Sequence, residues 1–207
     1  MSLELRRTRN GWHRVAEHVL AAGQYAASGT IRLAVGPGGF RTTAGVGGRQ
    51  LAVVGDRLVV DGRSTPLTTL RDVASFAGVE PGLRGSYSPA TDPDPDAPLE
   101  VHPLGAIELA SWFAIGDTAL RRFAPGSEPV LWPEHFDVAL TVDAVNYGCS
   151  PGDGFVDDPY LYVGPHQVPP RDDFWNQPFG AAVGQVRVRD VAAAVAFFEQ
   201  GRARAAG

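Results

Sequence analysis

Apolar positions set the frame of this chain before any single side chain suggests chemistry. After Asn10, Trp12, Val15, Ala16, Val19 and Leu20 fall at helical spacing, which predicts a short amphipathic helix capped by Asn10 and ending near Gly23. From Ser28 to Val35 the period changes to two. Ile31, Leu33 and Val35 face one way and Thr30, Arg32 and Ala34 the other, the pattern of a half-buried strand. Gly36-Pro37-Gly38-Gly39 turns the chain into a second strand, Phe40 to Ala44, and Gly47-Gly48 turns it again. Leu51 to Val54 and Arg57 to Val60 flank Gly55-Asp56, the loop length and chemistry of a tight hairpin. Gly45, Gly47, Gly48, Gly55 and Gly62 lie between strands with no helix placed to receive a phosphate, so they read as turn punctuation.

Thr68 or Thr69 then reads as the cap of a short helix through Ala77. A Pro/Asp-rich loop follows over 80–103, including Asp92-Pro93-Asp94-Pro95-Asp96, whose alternating prolines keep it extended. It reads as a linker, as a lid over a site, or as a solvated surface loop. Leu109, Trp112, Phe113, Gly116, Leu120 and Phe123 then define the strongest helix, beginning after His102-Pro103, with Asp117 and Arg121 as an i, i+4 pair. Asp190 caps a last helix carrying Val191, Val195 and Phe198, with Arg202 and Arg204 suited to the negative end of its dipole. Hairpin-like groups of strands with three to four helices predict a single α+β domain over 1–207, a twisted, largely antiparallel sheet packed by helices.

Composition narrows the chemistry. The 207 residues carry 18 basic and 23 acidic side chains, and every basic one is arginine. Without lysine there is no Schiff base and no phosphate-loop lysine. The single cysteine, Cys149, cannot close an intramolecular disulfide or build a cysteine-rich zinc module. A net charge of -5 argues against nucleic acid as partner, because counterion release needs a basic face. No stretch has the apolar length of a signal peptide or a membrane span, so a soluble, cytoplasmic protein is expected.

Residues 132–176 hold most of the remaining reactive groups. Between His135 and Val145 the alternation is nearly strict, with Phe136, Val138, Leu140 and Val142 on one face and His135, Asp137, Thr141 and Asp143 on the other. A second strand, Pro159 to Pro165, sends Tyr160 and Tyr162 to one face, with His166 beyond its end. If the two strands pair antiparallel with Asp143 opposite Tyr160, Asp137 meets His166. His135, Asp137 and His166 would then hold a divalent metal with open positions, or act as an acid/base set without one. A polar, solvated strand face explains the same alternation. Asp153, Asp157 and Asp158 offer oxygen ligands for calcium, though without the spacing of a helix–loop–helix calcium site. Cys149 would need an activating base to serve as a nucleophile. Trp132, Tyr147, Asp153, Tyr160, Tyr162, Trp175 and Asn176 are the expected lining of a polar, aromatic pocket or partner surface.

One resemblance runs along most of the chain. It joins the Trp12-His13 helix, the Gly29-Thr30-Ile31-Arg32-Leu33-Ala34 strand and the paired hairpin. It continues through the Trp112-Phe113 helix and the Phe136-Asp137-Val138-Ala139 strand to the Tyr-rich strand and the final helix. In this order the segments resemble an uncharacterised family of bacterial, mostly actinobacterial, proteins. The resemblance implies an α+β fold and supplies no reaction and no catalytic residue. The leading expectation is a soluble binding protein with its pocket or partner surface on 132–176, taking a small molecule or a protein and neither nucleic acid nor membrane. The alternative is a metal-dependent enzyme, hydrolytic or oxygen-handling, built on His135, Asp137 and His166. Nothing in the residues sets an oligomeric state.

Overall fold

A computed structural model describes residues 1–206. The fold is α+β and its strands pair antiparallel, as expected. The chain divides into two compact units, Met1–Ser111 with Leu131–Phe136, and Trp112–Val130 with Asp137–Gly207.

The first unit begins with one long helical rod. α1 (Leu3–Val15), a π-helical turn (Ala16–Ala21) and α2 (Ala22–Ser28) follow one another without a break. The rod starts earlier than Asn10: Ser2 is the N-cap, its Oγ accepting from the Leu5 N–H at 3.1 Å, and Asn10 is an exposed residue inside α1. The rod also runs past Gly23 and ends at Gly29, in the left-handed conformation that lacks a Cβ penalty. Trp12, Val15, Ala16, Val19 and Leu20 are fully buried, as their spacing predicts.

Five strands follow in chain order, β1 (Leu33–Gly36), β2 (Gly39–Thr42), β3 (Leu51–Val54), β4 (Arg57–Val60) and β5 (Arg63–Pro66). They form an antiparallel meander, with β6 (Val130–Trp132) against β1. The β3–β4 hairpin turns at Gly55-Asp56, as expected, with Val54 opposite Arg57. β5 has no apolar alternation to announce it; its residues are mostly exposed, and Asp61 and Gly62, both with positive φ, make the two-residue turn that creates it. Trp12 anchors the rod to this sheet. Its indole N–H donates to the Gly55 carbonyl at 3.0 Å and its ring meets Phe40 edge-on. α3 (Leu70–Ala77) is capped by Thr69, whose side chain accepts from the Asp72 N–H.

α4 (Pro103–Phe123) carries the predicted stripe, with Leu109, Trp112, Phe113, Gly116, Leu120 and Phe123 all buried. The second unit holds four antiparallel strands in sequential order: β7 (Asp137–Val142), β8 (Val145–Ser150), β9 (Tyr160–Pro165) and β10 (Ala181–Gly184). A 3-10 turn (Gln185–Arg187) and α5 (Val191–Ala205), capped by Asp190, complete it. Helices close one face of these strands. Gly116 of α4 lies against Cys149 of β8, and Gly201 of α5 against Val163 of β9, so closely that a Cβ at either glycine would collide. Tyr147 fills the space between, with Phe123 and Phe198 at 4.5 and 6.0 Å between ring centroids.

Candidate functional site

The other face of β7–β8–β9 carries the polar groups singled out by the sequence. Asp137, Ser150 and Tyr160 stand side by side on successive strands, and Tyr162 is one step along, opposite Gly148. Tyr162 lies across Gly148, where any Cβ would enter its ring, and its hydroxyl donates to Asp137 Oδ2. Tyr160 makes the equivalent bond to Asp153 Oδ2. Asp153 is itself fixed, because its Oδ1 accepts the N–H groups of Phe155 and Val156 at 2.7 and 2.9 Å. Two carboxylates thus hold two phenols, and Phe179 packs on both rings at 6.1 and 6.3 Å. Desolvation, then the neighbouring carboxylates, drives both phenols above their ordinary range, so they are neutral donors at any physiological pH.

The expected metal cluster is not assembled. The reason is β8, which occupies what the sequence suggests is a connection. The strand expected over His135–Val145 ends at Val142, and Asp143 and Ala144, with φ of 52° and 59°, form a two-residue turn back into β8. β9 therefore pairs with β8, Val145 opposite Pro165 and Ser150 opposite Tyr160. Asp137 sits at the Tyr160 end of this ladder. His166 follows its other end, where its N–H donates to the Ala144 carbonyl at 3.0 Å. Six residue steps of strand, roughly 20 Å at ~3.3 Å each, separate the two levels. His135 is an exposed turn residue of the first unit. Phe136, with φ 53°, leaves the alternating series and sends its ring against His13 and Phe40, 5.0 and 5.6 Å away. Among the described residues no three His, Cys, Asp or Glu side chains are grouped to hold a metal ion, and this includes Asp153, Asp157 and Asp158.

Of the expected pocket residues, Asp153, Tyr160 and Tyr162 come together with Asp137. Tyr147 belongs to the core on the opposite face. Trp132 lies in the first unit with the Arg32 guanidinium 5.8 Å above its ring. Trp175 is buried edge-on to Phe174 at 4.8 Å. Cys149 is fully buried, its Sγ 3.6 Å from the Trp112 carbonyl, and burial followed by Asp137 pushes its thiol well up. It is the opposite of an activated nucleophile.

Asn176 leads to a concavity the sequence reading missed. Its amide NH₂ donates to the Ala182 carbonyl at 3.0 Å and its Oδ1 accepts the Ala182 N–H at 2.9 Å. That clamp holds the 172–176 turn beside β10, and the space left before α5 is a hollow of about 280 Å³. Phe174 and Phe197, 5.5 Å apart between centroids, supply its aromatic surface. Asp173, Arg187, Gln200 and Arg204 supply its polar rim. Arg204 is already engaged, bonded to Asp172 at 3.0 Å and stacked 5.1 Å from the Phe174 ring centroid. The spacing of Phe197, Gln200 and Arg204 at i, i+3 and i+7 on α5 is the one signal of this wall in the sequence.

A second group of polar residues escaped notice because it lies on the side of the α1 rod opposite its apolar stripe. Arg14, Glu17 and His18 are buried there against the 80–98 segment. Arg14 donates to the carbonyls of Asp92, Asp94, Ala97 and Pro98. Glu17 accepts the N–H groups of Ala90 and Thr91, both at 2.9 Å, and the Thr91 hydroxyl at 2.6 Å. His18 Nε2 stands 3.0 Å from that same hydroxyl. Five prolines and no ladder leave this segment's backbone needing partners, and the rod supplies them. The 80–98 segment is therefore a strap fastened to the rod. A larger hollow of about 760 Å³ beside it is walled mainly by glycine, alanine and valine. Its Tyr25 hydroxyl is committed to the Gly85 carbonyl at 2.9 Å.

Comparison with protein-family models, with curated proteins and with solved structures gave no match. No helix is long and apolar enough to cross a membrane among the described residues.

Proposed function

We propose that this protein is a small-molecule-binding module whose site is the hollow between the 172–176 turn, β10 and α5. One observation carries the reading: the side chains of Asp173, Arg187 and Gln200 line that hollow, over two phenylalanines, and none of the three side chains makes a hydrogen bond or ion pair to a described residue. Binding sites combine an apolar surface with a few polar groups left available for the ligand. The Tyr160–Tyr162 cluster has its hydrogen-bonding capacity turned inward, so it serves as a rigid support and not as the contact surface. The pocket expected on 132–176 thus moves to residues 173–204. At about 280 Å³ the hollow suits a metabolite of modest size.

A thermal-shift screen of polar aromatic and amino-acid-like metabolites tests the reading. The expected result is at least one compound that raises the melting temperature of the wild type and not of Phe197→Ala. If every hit acts equally on the variant, the site is elsewhere. A protein partner is the second reading. It is favoured by Phe155, 72% exposed at the tip of a loop that Asp153 holds rigid.

A further inference from the structure

We infer that the ligand of this hollow is a zwitterion with an apolar side group, of the class of a free amino acid with an aromatic or large aliphatic side chain. The inference rests on the small-molecule reading above and names its ligand class. Two opposite charges border the same concavity, Asp173 and Arg187. They do not satisfy each other, since no nitrogen of Arg187 comes within 4.0 Å of an Asp173 oxygen to form an ion pair, and neither has another described partner. A monovalent ligand would answer one charge and leave the other beside it unused or repelled. An ammonium and a carboxylate carried on one carbon of the same ligand answer both.

Arg204 does not upset this balance. Asp172 already takes its Nη1, and its guanidinium lies over Phe174 as part of the wall. That leaves Arg187 for the ligand carboxylate, where a guanidinium can bond both oxygens. Asp173 takes the ammonium, and the Gln200 amide is free to donate or accept beside either. Asn176 mainly fixes the shape of the hollow, because Ala182 takes one N–H and one lone pair of its amide and so sets its orientation. Phe174 and Phe197 face the remaining volume, and a ring or branched aliphatic group would bury against them.

Three probes that differ only in charge separate the outcomes: phenylalanine, 3-phenylpropionate and phenethylamine, titrated calorimetrically into the full chain near neutral pH. Phenylalanine is expected to bind about ten-fold more tightly than either analogue, the effect of one lost charge-assisted hydrogen bond. Asp173→Asn should remove its advantage over 3-phenylpropionate, and Arg187→Gln its advantage over phenethylamine. Both residues are exposed, and an unchanged melting temperature will show that the variants are folded. Equal binding of 3-phenylpropionate and phenylalanine overturns the zwitterion and leaves the pocket standing. So does failure of all three probes, and of leucine, when a compound that is not a zwitterion binds and is lost in Phe197→Ala. Failure of the probes together with failure of the metabolite screen overturns both readings.

Discussion

The ring of Tyr162 lies across the backbone of Gly148 on the neighbouring strand, and that crossing brings its hydroxyl to Asp137. A methyl group at position 148 cannot share this space. Gly148→Ala should displace the ring and break the bond, costing about 1–3 kcal/mol as overpacking does. Tyr162→Phe keeps the ring and removes only the hydroxyl, and should cost roughly 1–2 kcal/mol. Urea titration of the two variants checks the order. A Gly148→Ala protein as stable as the wild type would mean that Tyr162 does not occupy this position.

The strap should come loose from one end of a single side chain. Arg14→Ala leaves four backbone carbonyls without their donor. A loss of roughly 2 kcal/mol or more is expected, with faster amide exchange over 80–98. Arg14→Lys should not restore protection, because a single ammonium cannot span carbonyls from residue 92 to residue 98.

Acid should weaken the first unit. Burial is the main cause that lowers the pKa of both His13 and His18 from 6.5, against the opposing pull of Glu17. An unfolded chain then takes up these protons first. Stability contributed by the two neutral imidazoles is full above about pH 6.5 and falls as the pH drops below it. The partners of the pair are Glu17, Arg14, Arg9, Asp92 and the Pro133 and Thr91 carbonyls. Denaturant midpoints between pH 7.5 and 5 should decline in the wild type and decline less in His18→Asn. A flat profile in the wild type would contradict the buried neutral state.

Cys149 should be silent to thiol reagents. Its burial and raised pKa keep the thiolate fraction negligible in the folded protein. Labelling is expected only at the rate of unfolding, and rapid labelling of native protein would show that α4 does not cover β8 at Gly116.

The turn at Asp143-Ala144 explains most of what the sequence concealed. Gly55-Asp56 announces its hairpin, because glycine is the residue that a positive φ favours. Ala144 adopts φ 59° with a Cβ that makes the same conformation costly, so nothing in its identity marks a turn. With that turn unseen, β8 merges into a connection, the register shifts, and Asp137 is paired with His166 in place of Tyr162. Periodicity fared better where many residues share one signal. The stripe from Leu109 to Phe123 and the Tyr160/Tyr162 alternation both stand as expected. The strap was out of reach for a different reason, since its partners are 73 or more residues away along the chain and many are backbone groups that carry no residue identity. The hollow joins a turn to a helix that no shared periodicity links. Replacing Ala144 with glycine should relieve the turn and stabilise the protein by about 0.5–1 kcal/mol, seen as a higher urea midpoint at constant slope.

Asn176 also does for β10 what a further strand would do. Ala182 turns its N–H and carbonyl away from β9, and one side-chain amide answers both. An outermost strand with those groups open is a template for the edge of another molecule. The guard here is a single residue that contributes little to the core, so its loss would leave the fold intact while exposing a sticky margin. Its removal would then be felt first at high concentration, as clumping of protein that is still correctly folded.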